Sequence, residues 1–298
     1  MDAAIEALIA AEALPADYAD TVERVWVPLA AGLAARRHAA GRPLLVGING
    51  VQGSGKTTAC RFLELLLRRH GLAAATLSLD DVYLTRAERT ALAARVHPLL
   101  ATRGPPGTHD LGLADTVITR LLAGAGLVAI PRFDKATDDR APTAAWPQMQ
   151  APLDFLLFEG WCIGATPQQE SALSAPVNAL EALEDAEMTW RRHVNTALAT
   201  GYARLFERLD VLMALQAPDF DVVRGWRQLQ EDRLRARAGA QADVRTGMDA
   251  AALDRFIQHY ERLTRHMLAS LVDRADITIP VDRQHRIGAI QGLDRADK

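Results

Sequence analysis

Gly50-Val51-Gln52-Gly53-Ser54-Gly55-Lys56-Thr57 is the stretch on which the fold of this chain turns. A Gly, four residues, then Gly-Lys-Thr is the spacing of a phosphate-binding Walker A loop. The flanks are in the order such a loop needs. Leu44-Leu45-Val46-Gly47-Ile48 reads as a buried strand, and Thr58-Ala59-Cys60-Arg61-Phe62-Leu63-Glu64-Leu65-Leu66-Leu67 reads as a helix. Glycines let backbone N–H groups turn toward phosphate oxygens at the positive end of the following helix. Gly50, Gln52, Gly53, Ser54, Gly55, Lys56, Thr57 and Thr58 are therefore the candidate nucleotide-binding residues. Lys56 would reach the β- and γ-phosphates and the Thr57 hydroxyl would sit on Mg²⁺, so ATP and Mg²⁺ are the expected cofactors.

Working outward, further strands are expected at 75–79, 128–130, 153–158, 211–215 and 276–280, with helices between them. The clearest helix carries Leu253, Phe256, Ile257, Tyr260, Leu263, Met267 and Leu271 in one apolar stripe. Strands alternating with helices imply an α/β fold, a doubly wound parallel sheet flanked by helices. The chain reads as one domain over 1–298. Residues 1–40 form an N-terminal helical extension that Pro28 should kink or divide, and about 218–248 form a helical lid.

Composition narrows the partners. A net charge of −3 gives no general attraction to nucleic acid or to an acidic membrane surface, so anion binding must be local. Cys60 and Cys162 lack metal-ligand spacing and sit among apolar residues, as small core side chains do. The first residues lack the positive region of a signal peptide and no apolar run is long enough to span a bilayer, so cytoplasmic residence is expected. Lysine occurs only at Lys56, Lys135 and Lys298, against 34 Lys plus Arg in all. A chain that writes nearly every positive charge as Arg keeps Lys where a compact charge is needed, which singles out Lys135.

Ligands of parallel sheets collect beyond the carboxyl ends of the strands, and two such ends here are acidic. Asp80-Asp81 follows the second strand, and Glu159-Gly160 follows 153–158. Phosphoryl transfer needs one carboxylate to hold or orient hydrated Mg²⁺ and another to take the proton of the attacking hydroxyl. Glu159, with Thr57, suits the metal role and Asp80 the base. Arg224, Arg227 and Arg233 lie on the expected lid, where closing arginines meet the charge of the transferring group, with Arg227 the catalytic candidate.

With these residues in view, the chain resembles the plant-type D-glycerate 3-kinases and their bacterial and fungal relatives. They belong to the P-loop kinase group that includes uridine kinase, phosphoribulokinase and pantothenate kinase. The resemblance runs from about Leu44 to Asp282. Besides the loop it is carried by Ser78-Leu79-Asp80-Asp81-Val82-Tyr83-Leu84-Thr85, Arg103-Gly104-Pro105-Pro106-Gly107-Thr108-His109-Asp110-Leu111, Pro131-Arg132-Phe133-Asp134-Lys135, Leu157-Phe158-Glu159-Gly160-Trp161 and Trp226-Arg227-Gln228-Leu229-Gln230-Glu231. It implies that Asp80 rather than Asp81 is the base. It also implies that Tyr83, Arg103, His109, Asp110, Arg132 and Lys135 face the acceptor, and that the helix from Trp226 to Arg233 is the lid. The expected activity is transfer of the γ-phosphate of MgATP to a small hydroxy acid, D-glycerate giving 3-phosphoglycerate. The alternatives are a kinase for a nucleoside, pantothenate or a sugar acid, and a non-kinase P-loop ATPase or switch.

Overall fold

The computed structural model describes residues 2–15, 17–238 and 250–293, with side chains from 230 to 250 excepted. The described residues form nine strands: β1 (Leu44–Gly50), β2 (Ala74–Ser78), β3 (Gly126–Ala129), β4 (Phe133–Asp134), β5 (Asp139–Arg140), β6 (Gln148–Ala151), β7 (Phe155–Gly160), β8 (Val211–Gln216) and β9 (Ile277–Pro280). Five of them form the central sheet in the order β2-β7-β1-β8-β9, every neighbouring pair parallel. Parallel neighbours need crossover connections, which here run through helices, and β7 inserts between β1 and β2.

Side-chain alternation sorts the strands between two cores. Leu44, Val46 and Ile48 of β1, with Phe155 and Leu157 of β7, enter one core; Leu45, Leu156 and Phe158 enter the other. The first is covered by the helix Lys56–Arg69 through Ala59, Phe62, Leu63 and Leu66. The second is covered by Leu111–Ala123 and by Tyr260, Leu263 and Met267 of Ala250–Ser270. The N-terminal segment is built into the first core, where Ile5, Val25, Trp26, Leu29 and Leu33 are all buried. Each such side chain contributes about 1.5–3 kcal/mol by burial, so this segment is structural. Pro28 divides it as its chemistry requires: a π-helical stretch Val22–Trp26 gives way to the α-helix Val27–Ala40, with the proline in the first turn.

The strand expected at 128–130 lies outside the central sheet. β3 pairs antiparallel with β6 in a separate two-stranded ribbon, and β4 pairs with β5 in another. The β3–β6 ribbon packs against the helix Leu111–Ala123, and the β4–β5 hairpin sits against the turn that follows β2.

Candidate active site

The sheet register brings the acidic strand ends to the phosphate loop. Glu159 of β7 lies opposite Ile48 of β1 on one side and Ser78 of β2 on the other. Gly53 and Gly55 of the loop adopt φ of +79° and +92°, which L side chains rarely adopt, and a Cβ on Gly53 would meet Trp226 Cβ at 2.8 Å. Lys56 opens the helix that follows, and its Nζ donates to the carbonyls of Gly50 (2.8 Å) and Val51 (3.1 Å). Burial pushes the Lys56 ammonium below its ordinary range, and the nearby Glu159 and Asp80 charges pull it back. Among the described residues the Gln52 amide and Ser54 hydroxyl atoms are buried without hydrogen-bond partners, an arrangement that suits a loop made to wrap a polar anion.

Glu159 is 6% exposed, and the Thr57 hydroxyl donates to its Oε1 at 3.4 Å. Burial raises the carboxyl above its ordinary range and Lys56 opposes the rise. A hydroxyl and one carboxylate side by side at the mouth of a phosphate loop fit Mg²⁺, which keeps several waters and takes further oxygens from phosphate. Among the described residues no group of three or more His, Cys, Asp or Glu forms a self-sufficient metal cage. Thr57 and Glu159 are thus the residues that would hold the ion, whose part is to neutralise charge on the phosphates. Glu159→Gln is expected to weaken the apparent Mg²⁺ affinity by roughly 10- to 100-fold, the range for disturbed metal-site partners. A Mg²⁺ titration superimposing on that of the unaltered protein would leave Glu159 a structural residue.

The cavity beside the loop has a volume of about 500 Å³, in the range of small-ligand sites. Gln52, Gly53, Gly55, Lys56, Thr57, Thr58 and Glu159 line one part; Asp80, Tyr83, Arg103 and Lys135 line another, with Arg227 from the helix Asp221–Ala238. Asp80 stands on a single 3₁₀ turn, Leu79–Val82, directly after β2. Its Oδ1 accepts from the Tyr83 hydroxyl (2.9 Å) and its Oδ2 from Lys135 Nζ (2.8 Å). Burial alone would raise the Asp80 carboxyl, but the Lys135 charge and the two hydrogen bonds outweigh it and hold the group well below the usual carboxylate range. Asp81 differs: its oxygens accept from Phe133 N–H (3.1 Å) and Arg132 (3.3 Å), and burial pushes it up to about 6.

Other expected site residues stand behind this surface rather than on it. His109 stacks on Tyr83 with ring centroids 4.5 Å apart, and its Nδ1 lies 2.5 Å from the Tyr202 hydroxyl. Burial lowers its pKa to about 3, so it is a neutral prop for Tyr83. Asp110 caps the helix Leu111–Ala123, as its sequence position suggests, and pairs with Arg140. Arg132 turns to Asp81 and to the carbonyl of Pro131. Of the arginines expected on a lid, Arg227 lies 5.7 Å over the Phe256 ring at the cavity, whereas Arg224 pairs with Asp254 at the surface. The Arg233 side chain lies outside the described residues, as does part of the expected lid.

Several cavity residues escape a reading by motif. Tyr260 donates to the carbonyl of Arg103 (3.1 Å) and Trp161 to that of Gly104 (3.1 Å), which fixes the Arg103 loop. His285 contacts the Gly53 carbonyl through Nε2 at 3.0 Å and packs its ring 4.2 Å from that of Trp226. Glu12, at the end of the first helix, accepts from the Thr58 hydroxyl (3.2 Å) and from Arg61. Ser78, Trp161 and Trp226 fall within the segments that carry the family resemblance and Tyr260 within the apolar stripe of its helix, whereas Glu12 and His285 carried no signal.

No family model matches the chain. A Schizosaccharomyces pombe protein named as an uncharacterized kinase, mug58, is 33% identical over 229 residues, 74% of this chain and 79% of that protein. The chloroplastic D-glycerate 3-kinase of Arabidopsis thaliana is 32% identical over 228 residues, 73% of this chain but 46% of the plant protein. Among solved structures, the D-glycerate 3-kinase of Cryptococcus neoformans superposes with a TM-score of 0.74 at 26% identity, over 91% of this chain and 98% of that one. At this identity and coverage, this chain belongs to the glycerate 3-kinase family of P-loop kinases, the ATP-dependent phosphotransferases.

Proposed function

We propose that the chain transfers the γ-phosphoryl group of MgATP to a hydroxyl of a small hydroxy acid, D-glycerate giving 3-phosphoglycerate. The reading rests above all on one cavity that joins the phosphate loop to a carboxylate, Asp80, paired with Lys135, and that Arg103 also lines. An acceptor whose carboxylate meets those cations would present its far hydroxyl toward Asp80 and the phosphate loop. Asp80 accepts the hydroxyl proton, the oxygen forms its bond to the γ-phosphorus, and the bond from that phosphorus to the bridging oxygen of ADP breaks. Lys56 and Arg227 meet the negative charge spread over the transferring group. A nucleotide switch or a bare ATPase has no use for an acceptor-side carboxylate between cations.

The acceptor is tested by measuring ADP release across small hydroxy acids, nucleosides and pantothenate. D-glycerate is expected to turn over fastest. Arg103→Ala should raise the glycerate KM by the equivalent of about 1.5–3 kcal/mol, the loss of a charged hydrogen bond, with the KM for ATP nearly constant. Because Arg132 is turned onto Asp81, its removal should affect acceptor KM less than that of Arg103. Preference for an uncharged nucleoside, or an Arg103→Ala variant with unchanged acceptor KM, would overturn glycerate and leave the phosphotransferase standing.

A further inference from the structure

Asp80 has both carboxylate oxygens engaged, Oδ1 by the Tyr83 hydroxyl and Oδ2 by the Lys135 ammonium. Each oxygen keeps a further lone pair, but an ammonium in contact stabilises the anion and makes it a poor proton acceptor while that contact lasts. Lys135 reaches Asp80 from the rim of the cavity. Its side chain is 56% exposed, on the turn between β4 and β5. That hairpin is anchored without it: Asp138 pairs with Arg89 and Arg103, the Arg86 N–H donates to Asp139 (3.0 Å), and the Phe133 N–H donates to Asp81 (3.1 Å). These anchors would hold the backbone of the hairpin in place if the lysine side chain changed partner. Arg103 lines the same cavity, so a carboxylate entering there meets a fixed guanidinium and a movable ammonium.

We infer that Lys135 gates Asp80: it occupies the carboxylate until the carboxylate of an acidic acceptor draws the ammonium away, and only then is Asp80 free to take the hydroxyl proton. The inference rests on the reading of Asp80 as the base and of the acceptor as an acid. The exchange conserves charge pairing, since one ammonium–carboxylate contact replaces another. Its consequence is that water, which carries no carboxylate, leaves the gate closed, and ATP is spared from hydrolysis while no acceptor is bound. A lysine suits the task where an arginine would not. Its single charged point on a flexible stem changes partner readily, whereas a guanidinium fork would grip Asp80 in two parallel hydrogen bonds.

The test is ATP hydrolysis without any acceptor. Lys135→Met should hydrolyse ATP at least about tenfold faster than the unaltered protein, a part of the 10²- to 10⁴-fold that a positioned base supplies. The rise should vanish in the Lys135→Met, Asp80→Asn double variant. In the unaltered protein D-lactate, which has the carboxylate of glycerate but not its terminal hydroxyl, should raise hydrolysis, and glycerol should not. Lys135→Gln serves as a second variant should Met disturb the turn, with thermal melting and ATP binding as checks on folding. The gate is overturned if neither Lys135 variant hydrolyses ATP faster, or if the rise survives Asp80→Asn. The acceptor-free measurement contains no glycerate, so an error over the acceptor appears separately, as absent turnover of glycerate by the unaltered protein.

Discussion

Lys56→Ala will abolish phosphoryl transfer, with kcat/KM falling at least about a thousandfold, the scale of losing a charged clamp on a transferring phosphoryl group. The ammonium is the charge sunk deepest in the phosphate loop, tethered to the carbonyls of Gly50 and Val51 and facing Glu159 and Asp80. Backbone N–H groups of the loop carry only partial charges, so they cannot replace a full positive charge against the γ-phosphate. The fold should survive, because the apolar residues of Lys56–Arg69 that pack on the sheet, Phe62, Leu63, Leu66 and Leu67, are untouched. Circular dichroism and thermal melting would register that, and an ATP titration would register weaker binding. Near-normal turnover in a folded Lys56→Ala protein would remove the loop from the mechanism.

Asp80→Asn should lower kcat by roughly 10²- to 10⁴-fold with little change in ATP affinity, because the amide keeps the size of the carboxylate but cannot take a proton. Its neighbour provides the control. Asp81 holds the Phe133 N–H and Arg132, so Asp81→Asn should loosen the β4–β5 hairpin and act on acceptor KM more than on kcat. A collapse of kcat in Asp81→Asn beside an active Asp80→Asn would transfer the role to Asp81. The two aspartates are adjacent in sequence yet face different partners, which is the expected result of a tight 3₁₀ turn after β2.

Much of the site was legible because its chemistry is local. A Walker A loop is a contiguous run whose glycines, lysine and threonine act through their own backbone and the helix they begin. Strand-end acids announce themselves where an apolar run stops at a carboxylate, as at Glu159 and Asp80. The place of the β3–β6 ribbon was illegible for the opposite reason. A short apolar run such as 128–130 has the same pattern whether it joins a central sheet or pairs with Gln148–Ala151 in an appendage, and only the partner distinguishes them.

The sequence by itself determined the phosphate loop, the parallel α/β architecture, the acidic strand ends and the exceptional standing of Lys56 and Lys135, since each is written in residue type and short-range spacing. Only the tertiary structure decided which charges meet. Lys135 reaches Asp80 across 55 positions of sequence and His285 reaches Gly53 across 232, while Arg132, His109 and Asp110 are drawn behind the cavity by Asp81, Tyr202 and Arg140. Pairings at such separations depend on how helices and hairpins pack around the sheet, because hydrogen bonds and ion pairs act over a few ångströms that spacing along the chain does not encode.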